Sequence, residues 1–262
     1  GLDPVARARV IAAGETNVGM KRSHNEDNFA VDEEDNLYVV ADGMGGHAYG
    51  EVASAVAVEV IHRVLLQEAA DPDETRLMRD VDVEDEADRL RERLRYAMNQ
   101  GSIAIRHKAR DMVGGDDMGT TVVVLVVEDQ QAHIAHVGDS RAYLMRHGRL
   151  QRLTRDHTVV QQEVDAGRLT PELARLVPHK NMLTQSVGFH GPVEPDTSTR
   201  MLEAGDLFIL CSDGLNDALE DGQIADVANR TPPDMLADAL VEAGLAAGGE
   251  DNITVMCVHV IG

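Results

Sequence analysis

Residues 38–51 read YVVADGMGGHAYGE. An apolar run from Leu37 to Ala41 drives into Asp42-Gly43, a glycine-rich loop follows, and a long apolar-periodic segment starts near Gly50. A buried strand that stops at a carboxylate presents it at the rim of a sheet, and the glycines after it let backbone groups approach whatever that carboxylate binds. One Asp-Gly after a strand is ordinarily a plain turn. Here the pattern recurs. AHVGDS (135–140) and FILCSDG (208–214) also run apolar strands into an Asp beside a Gly, and GEDN (249–252) sets another Asp directly before the apolar run 253–260. Four such carboxylates point to a metal site.

The 262 residues show no compositional break, which predicts one domain able to bury a full core. No apolar run is long enough for a membrane span, and no secretory signal pattern is present, so a cytoplasmic protein is expected. With 46 acidic residues against 24 basic, the net charge is −22, which disfavours nucleic acid and anionic membranes as partners. The densest acidic stretch, residues 71–92, reads as a solvated loop and helix start. Cys211 and Cys257 lie in apolar runs and read as buried free thiols of a reducing compartment. Without a C-x-x-C pair, structural zinc is not expected.

Short strands are expected at 9–13 and 28–32, the second forming a hairpin through the acidic turn 33–36 into the strand that ends at Asp42. Ala53, Ala57, Ile61 and Leu65 recur every four residues, an amphipathic helix. A second helix spans 86–112, with Leu90, Leu94, Ala97, Gly101 and Ala104 on its apolar face. Residues 120–127, 132–137, 142–145 and 149–153 form an antiparallel meander, the last pair turning at His147-Gly148. Residues 154–195 break this order with short helical pieces capped by Thr158 and Thr170. Strands return at 198–202 and 207–211. Thr231 is expected to cap a helix with Pro232 in its first turn, running to about Ala247 before the last strand. This order predicts an α+β layered sandwich rather than an alternating parallel sheet.

RSHNEDNF (22–29), ADGMGGH (41–47), MGTT (118–121), VGDSR (137–141), SDGL (212–215) and EDNIT (250–254) occur in this order. Together they resemble the bacterial branch of the metal-dependent protein serine/threonine phosphatases, the PPM or type 2C family, and the resemblance covers essentially the whole chain. It implies a four-layer α-β-β-α sandwich with two packed, mostly antiparallel sheets, and a flap-like insertion at about 154–195. It also implies two tight Mn²⁺ or Mg²⁺ ions about 4 Å apart. Asp42 would bridge them. Asp213 and Asp251 would complete one ion, Glu26 and the Gly43 carbonyl would serve the other, and Asp27 would act from the outer shell through water. Asp139, with Asp213, resembles a weaker third-metal position, and Arg22 resembles the phosphate-binding arginine.

These residue types suit the chemistry, because hard divalent ions take oxygen ligands and keep several waters. A hydroxide bridging two dications is expected to attack phosphorus in line while Arg22 offsets charge on the equatorial oxygens. Ser140 lacks the partners of a nucleophile, and Arg141 reads as a structural partner of the strand rim. Most of the eleven histidines read as surface or satisfied residues. Where eukaryotic relatives carry a histidine two residues after the bridging Asp, this chain has Met44. Either His47 or a metal-bound water is then the general acid, and water is favoured because Gly45 and Gly46 separate His47 from the rim. The expected function is hydrolysis of phosphoserine and phosphothreonine in proteins, opposing Ser/Thr kinases, by a monomer. The alternatives are a catalytically silent phosphoprotein-binding member and a small-molecule phosphate-ester hydrolase.

Overall fold

A computed structural model describes residues 8–45, 49–67, 86–112, 117–189 and 191–262. His47 and residues 71–85 of the acidic stretch lie outside them.

Strands β2 (Asp27–Asp32), β3 (Leu37–Met44), β5 (Val122–Glu128), β6 (Gln131–Val137) and β9 (Asp196–Met201) form one sheet in the order β2-β3-β5-β6-β9, with β4 (Gly119–Thr120) paired to the end of β3. The second sheet runs β1-β11-β10-β7-β8, built from β1 (Val10–Asn17), β7 (Arg141–Arg146), β8 (Arg149–Arg152), β10 (Leu207–Cys211) and β11 (Ile253–Val260). Neighbouring strands pair antiparallel throughout.

Side chains alternate across a strand, so a strand buried on both faces feeds two cores. Tyr38, Val40, Val123 and Leu125 of the first sheet meet Phe208, Leu210, Met256 and Val258 of the second in a central core. From the other face, Leu37, Val39, Ala41, Val122 and Val124 meet helices α1 (Tyr49–Gln67) and α2 (Glu86–Arg110). The four-residue repeat Ala53, Ala57, Ile61, Leu65 lies in that core, as do Leu90, Leu94 and Ala97. The outer face of the second sheet is covered by a third core, in which Ile209, Val255 and Cys257 meet Leu215, Ile224 and Leu240. The four layers are therefore helix, sheet, sheet, helix. Both thiols are free and buried, and burial pushes Cys211 up to about 12.

Within residues 154–195, Thr158 caps α3 (Val159–Asp165) by accepting the Gln161 N–H at 3.2 Å, and Thr170 caps α4 (Pro171–Ala174) by accepting the Leu173 N–H at 3.2 Å. His147 and Gly148 have φ of +49° and +76°, the mirror-image turn that suits a two-residue hairpin. The region after β10 differs from expectation. Two further helices follow, α5 (Asp213–Ala218) and α6 (Asp221–Arg230). Thr231 does not open a helix but ends α6, extended at φ −115° because Pro232 follows. A 3-10 turn (Pro233–Met235) then leads into α7 (Leu236–Ala246).

Candidate metal centre

The ends of β3, β6 and β10 and the starts of β2, β7 and β11 meet at one rim of the sandwich. Asp27 and Asp42 face each other in the β2–β3 register. The Asp42 N–H donates to Thr121 Oγ1 at 3.1 Å, and Thr121 Oγ1 lies 2.6 Å from Ser140 Oγ. Ser140 is buried and engaged there, which leaves it no role as a nucleophile. Asp213 opens α5 directly after β10, and Asp251 stands just ahead of β11.

Asp27 links the two sheets. Its Oδ2 accepts from Ser212 Oγ at 2.7 Å and from Thr254 Oγ1 at 2.6 Å, both on the opposite sheet's rim. Its Oδ1 is buried and has no partner among the described residues, and the same holds for Asp213 Oδ1. A buried carboxylate oxygen without a donor is costly; a hard divalent cation would satisfy it directly at Asp213, and a water held by such a cation would satisfy it at Asp27. The donor set here is all oxygen, so these residues fit Mn²⁺ or Mg²⁺.

The electrostatics agree. Burial, then the charges of Asp27 and Asp213, raises Asp42 well above the ordinary carboxylate range. Burial pushes Asp27 up to about 6. Burial and the neighbouring Asp217 push Asp213 up to about 7. Asp139, buried between β6 and β7, is raised well above the ordinary range by burial and by Asp213. Burial also raises Glu26, opposed by the Arg22 guanidinium. Crowded carboxylates of this kind hold protons until cations replace them.

Glycines set the spacing. A Cβ on Gly43 would run into the Gly50 carbonyl oxygen, and one on Gly50 would lie 2.8 Å from the Glu26 carboxylate. Glu26 therefore sits against the first turn of α1, where the helix dipole favours an anion. Arg22 is more than half exposed and its Nη2 lies 2.9 Å from Asp251 Oδ2. Arg141 instead forks onto Asp156, with Nε–Oδ1 at 3.0 Å and Nη2–Oδ2 at 2.7 Å, a structural pairing at the base of the insertion.

Several contributors carry no sequence signal of their own. Asn252 donates through Nδ2 to the Val18 and His24 carbonyls and accepts the Glu26 N–H, clipping the Glu26 loop to β11. Asn181, from the insertion, donates to both Asp213 Oδ2 and Asp217 Oδ2 at 3.0 Å. Ser212 and Thr254 were legible only as motif letters. A second cluster, His136, His157 and Asp196, has ligand-type atoms close together, but three of its four ring nitrogens already face protein groups. His136 Nε2 meets the Arg155 carbonyl, and His157 Nδ1 accepts the Gly138 N–H, leaving the Nε2 proton for Asp196 at 3.3 Å.

Against known families, the description Protein phosphatase 2C matches residues 19–243. The chain belongs to the protein phosphatase 2C family. Among its relatives is the serine/threonine protein phosphatase PstP of Mycobacterium tuberculosis, 34% identical over 249 residues. That match takes in 95% of this chain and 45% of PstP, so the chain spans about half the length of this relative. Protein phosphatase PhpP of Streptococcus pneumoniae is 37% identical over 253 residues, covering 93% of this chain and 94% of PhpP. Among solved structures, the catalytic domain of PstP in complex with two manganese ions superposes with a TM-score of 0.79 at 32% identity, covering 97% of this chain and 99% of that one. The family's fold of two antiparallel sheets flanked by helices is the fold described above. No described helix is long and apolar enough to cross a membrane.

Proposed function

We propose that this chain is a single phosphatase domain, with residues 154–195 as a flap, that hydrolyses phosphoserine and phosphothreonine in proteins. The observation that carries the reading is the convergence of Glu26, Asp27, Asp42, Asp213 and Asp251 on one rim, two of them with orphaned buried oxygens. Asp42, next to Asp27 and Asp213, would bridge two ions. Asp213 and Asp251 would hold one, Glu26 and the Gly43 carbonyl the other, and Asp139 with Asp213 a weaker third. When bound, Mn²⁺ or Mg²⁺ supplies a water of lowered pKa for in-line attack and neutralises charge on the phosphoryl oxygens.

The chain's own residues do the rest. Arg22, exposed beside Asp251, forks onto two phosphate oxygens. Asp27 keeps the two sheets, and so the two halves of the ligand set, in register. Asn252 and Gly50 position Glu26. Met44 has no proton to give the departing alcohol, so that proton comes from water or from His47. The buried free thiols fit a reducing compartment, the cytoplasm, where Ser/Thr kinases supply phosphoproteins and a monomer suffices. The retained ligand set weighs against a silent binding protein.

The test is turnover of a phosphothreonine peptide with Mn²⁺, Mg²⁺, Ca²⁺ or chelator, beside turnover of nucleotides. Peptide hydrolysis with Mn²⁺ or Mg²⁺ that is lost in chelator is expected. Full activity in excess chelator would refute the two-metal reading, and faster turnover of nucleotides would make it a small-ester hydrolase.

A further inference from the structure

Two cavities adjoin the rim, and Asn181 lines both. One, of about 330 Å³, is charged, with five aspartates, Asp139 and Asp213 among them, and four cationic side chains in its lining. The other, of about 320 Å³, has no Asp, Glu, Lys or Arg among its described lining residues. Met44 and Asn181 form its edge toward the carboxylates, Leu183, Phe189, Pro192 and Val193 line it with apolar groups, and Thr184, Gln185 and Ser186 add uncharged polar ones. In a chain of net charge −22, an uncharged cavity opening beside a carboxylate cluster is selective by composition.

Its position relates it to the reaction. Met44 lies two residues past Asp42 on β3, about 7 Å at the rise of a strand. An extended peptide with its phosphoryl group at the rim would carry a side chain one or two positions away into this space. The volume is at the small end for a binding pocket, enough for one or two side chains. An apolar side chain gains there by leaving water, whereas a charged one loses its hydration and finds no counter-charge.

Resting on the phosphoprotein reading above, we infer that the Met44–Leu183–Phe189 cavity is a specificity pocket for an apolar residue one or two positions from the phosphoserine or phosphothreonine. The insertion thus selects substrates by sequence as well as bordering the metal centre.

The experiment uses the full chain with Mn²⁺ and a set of phosphothreonine peptides. Leucine, glycine, aspartate or lysine is placed in turn at the two positions on either side, with p-nitrophenyl phosphate as the reference without flanks. At one position leucine should exceed aspartate in kcat/KM by about tenfold or more. Leu183→Lys should then reverse the order, lowering the leucine-to-aspartate ratio by at least as much. Thr184→Lys, at an exposed lining residue, makes the same test should the first variant fail to fold. Peptides all turned over with equal kcat/KM, in wild type and variant alike, would overturn the pocket while sustaining the phosphatase reading. Turnover of p-nitrophenyl phosphate with none of any peptide would overturn both.

Discussion

An exposed guanidinium 2.9 Å from a candidate metal ligand has two possible anions to serve, the Asp251 carboxylate and an incoming phosphoryl group. Arg22 is more than half exposed, so its pairing with Asp251 is screened by water and contributes little to the fold. Its planar fork matches two phosphoryl oxygens, which an ammonium cannot copy. Arg22→Lys should therefore lose most of what Arg22→Ala loses, about 2–4 kcal/mol in kcat/KM on phosphopeptides. Mn²⁺ affinity, read by titration calorimetry, should hardly change. Wild-type kinetics in Arg22→Ala would remove the residue from the phosphate site.

Between β3 and α1, close approach of backbone leaves no room for a side chain. Gly43→Ala would force α1 away from the strand end, moving both the Gly43 carbonyl and the helix turn that supports Glu26. The expected loss is about 1–3 kcal/mol of stability, with a lowered Mn²⁺ affinity. Gly222→Ala, in α6 with nothing within 4 Å of the added Cβ, should be neutral or stabilising in the same denaturation experiment. Equal behaviour of the two variants would show that the contact is slack. The same elements show what a sequence reveals. β3, β5, β10 and β11 read as strands because both their faces are buried, and α1 read as a helix because its core residues fall every four positions. Helices α5 and α6 were missed because Ser212-Asp213-Gly214 looks like a turn, and because Gln223, which accepts the Glu220 N–H at 2.8 Å, is an inconspicuous helix start. Motif order made Asp42 and Asp213 visible as candidates. Asn252 was invisible in its role, since its partner Glu26 is 226 positions away and only the fold brings them together.

Across the molecule, the carboxylate rim sets how stability responds to pH. Burial raises Asp27 to about 6 and Asp213 to about 7, with Asp42 and Asp139 also displaced upward, whereas an unfolded Asp titrates near ~3.9. Between those values the folded metal-free chain holds more protons than the unfolded one. The stability these groups contribute is complete below ~pH 4 and is lost as pH rises through about 6–7. Melting temperature in chelator should therefore fall from about pH 5 to 8, and Asp213→Asn should shallow that fall while abolishing turnover. Mn²⁺ should restore stability most at the alkaline end, by about 2.7 kcal/mol at a hundredfold excess over Kd. A metal-free melting temperature that climbs steadily over this range would contradict the assignment.

The pairing of β1 with β11 has a further consequence, in the order of synthesis. Thr16 on β1 and Thr254 on β11 touch although 238 positions separate them. Until β11 has left the ribosome, β1 and β10 are open edges with no strand between them. Such distant pairing closes slowly. Asp251 and Asn252 head that same strand, so a nascent or truncated chain without it carries the other rim carboxylates but lacks this candidate ligand and the clip on Glu26. With the proposed ligand set, filling both cation positions would require β11, and an unfinished polypeptide would lack a complete centre.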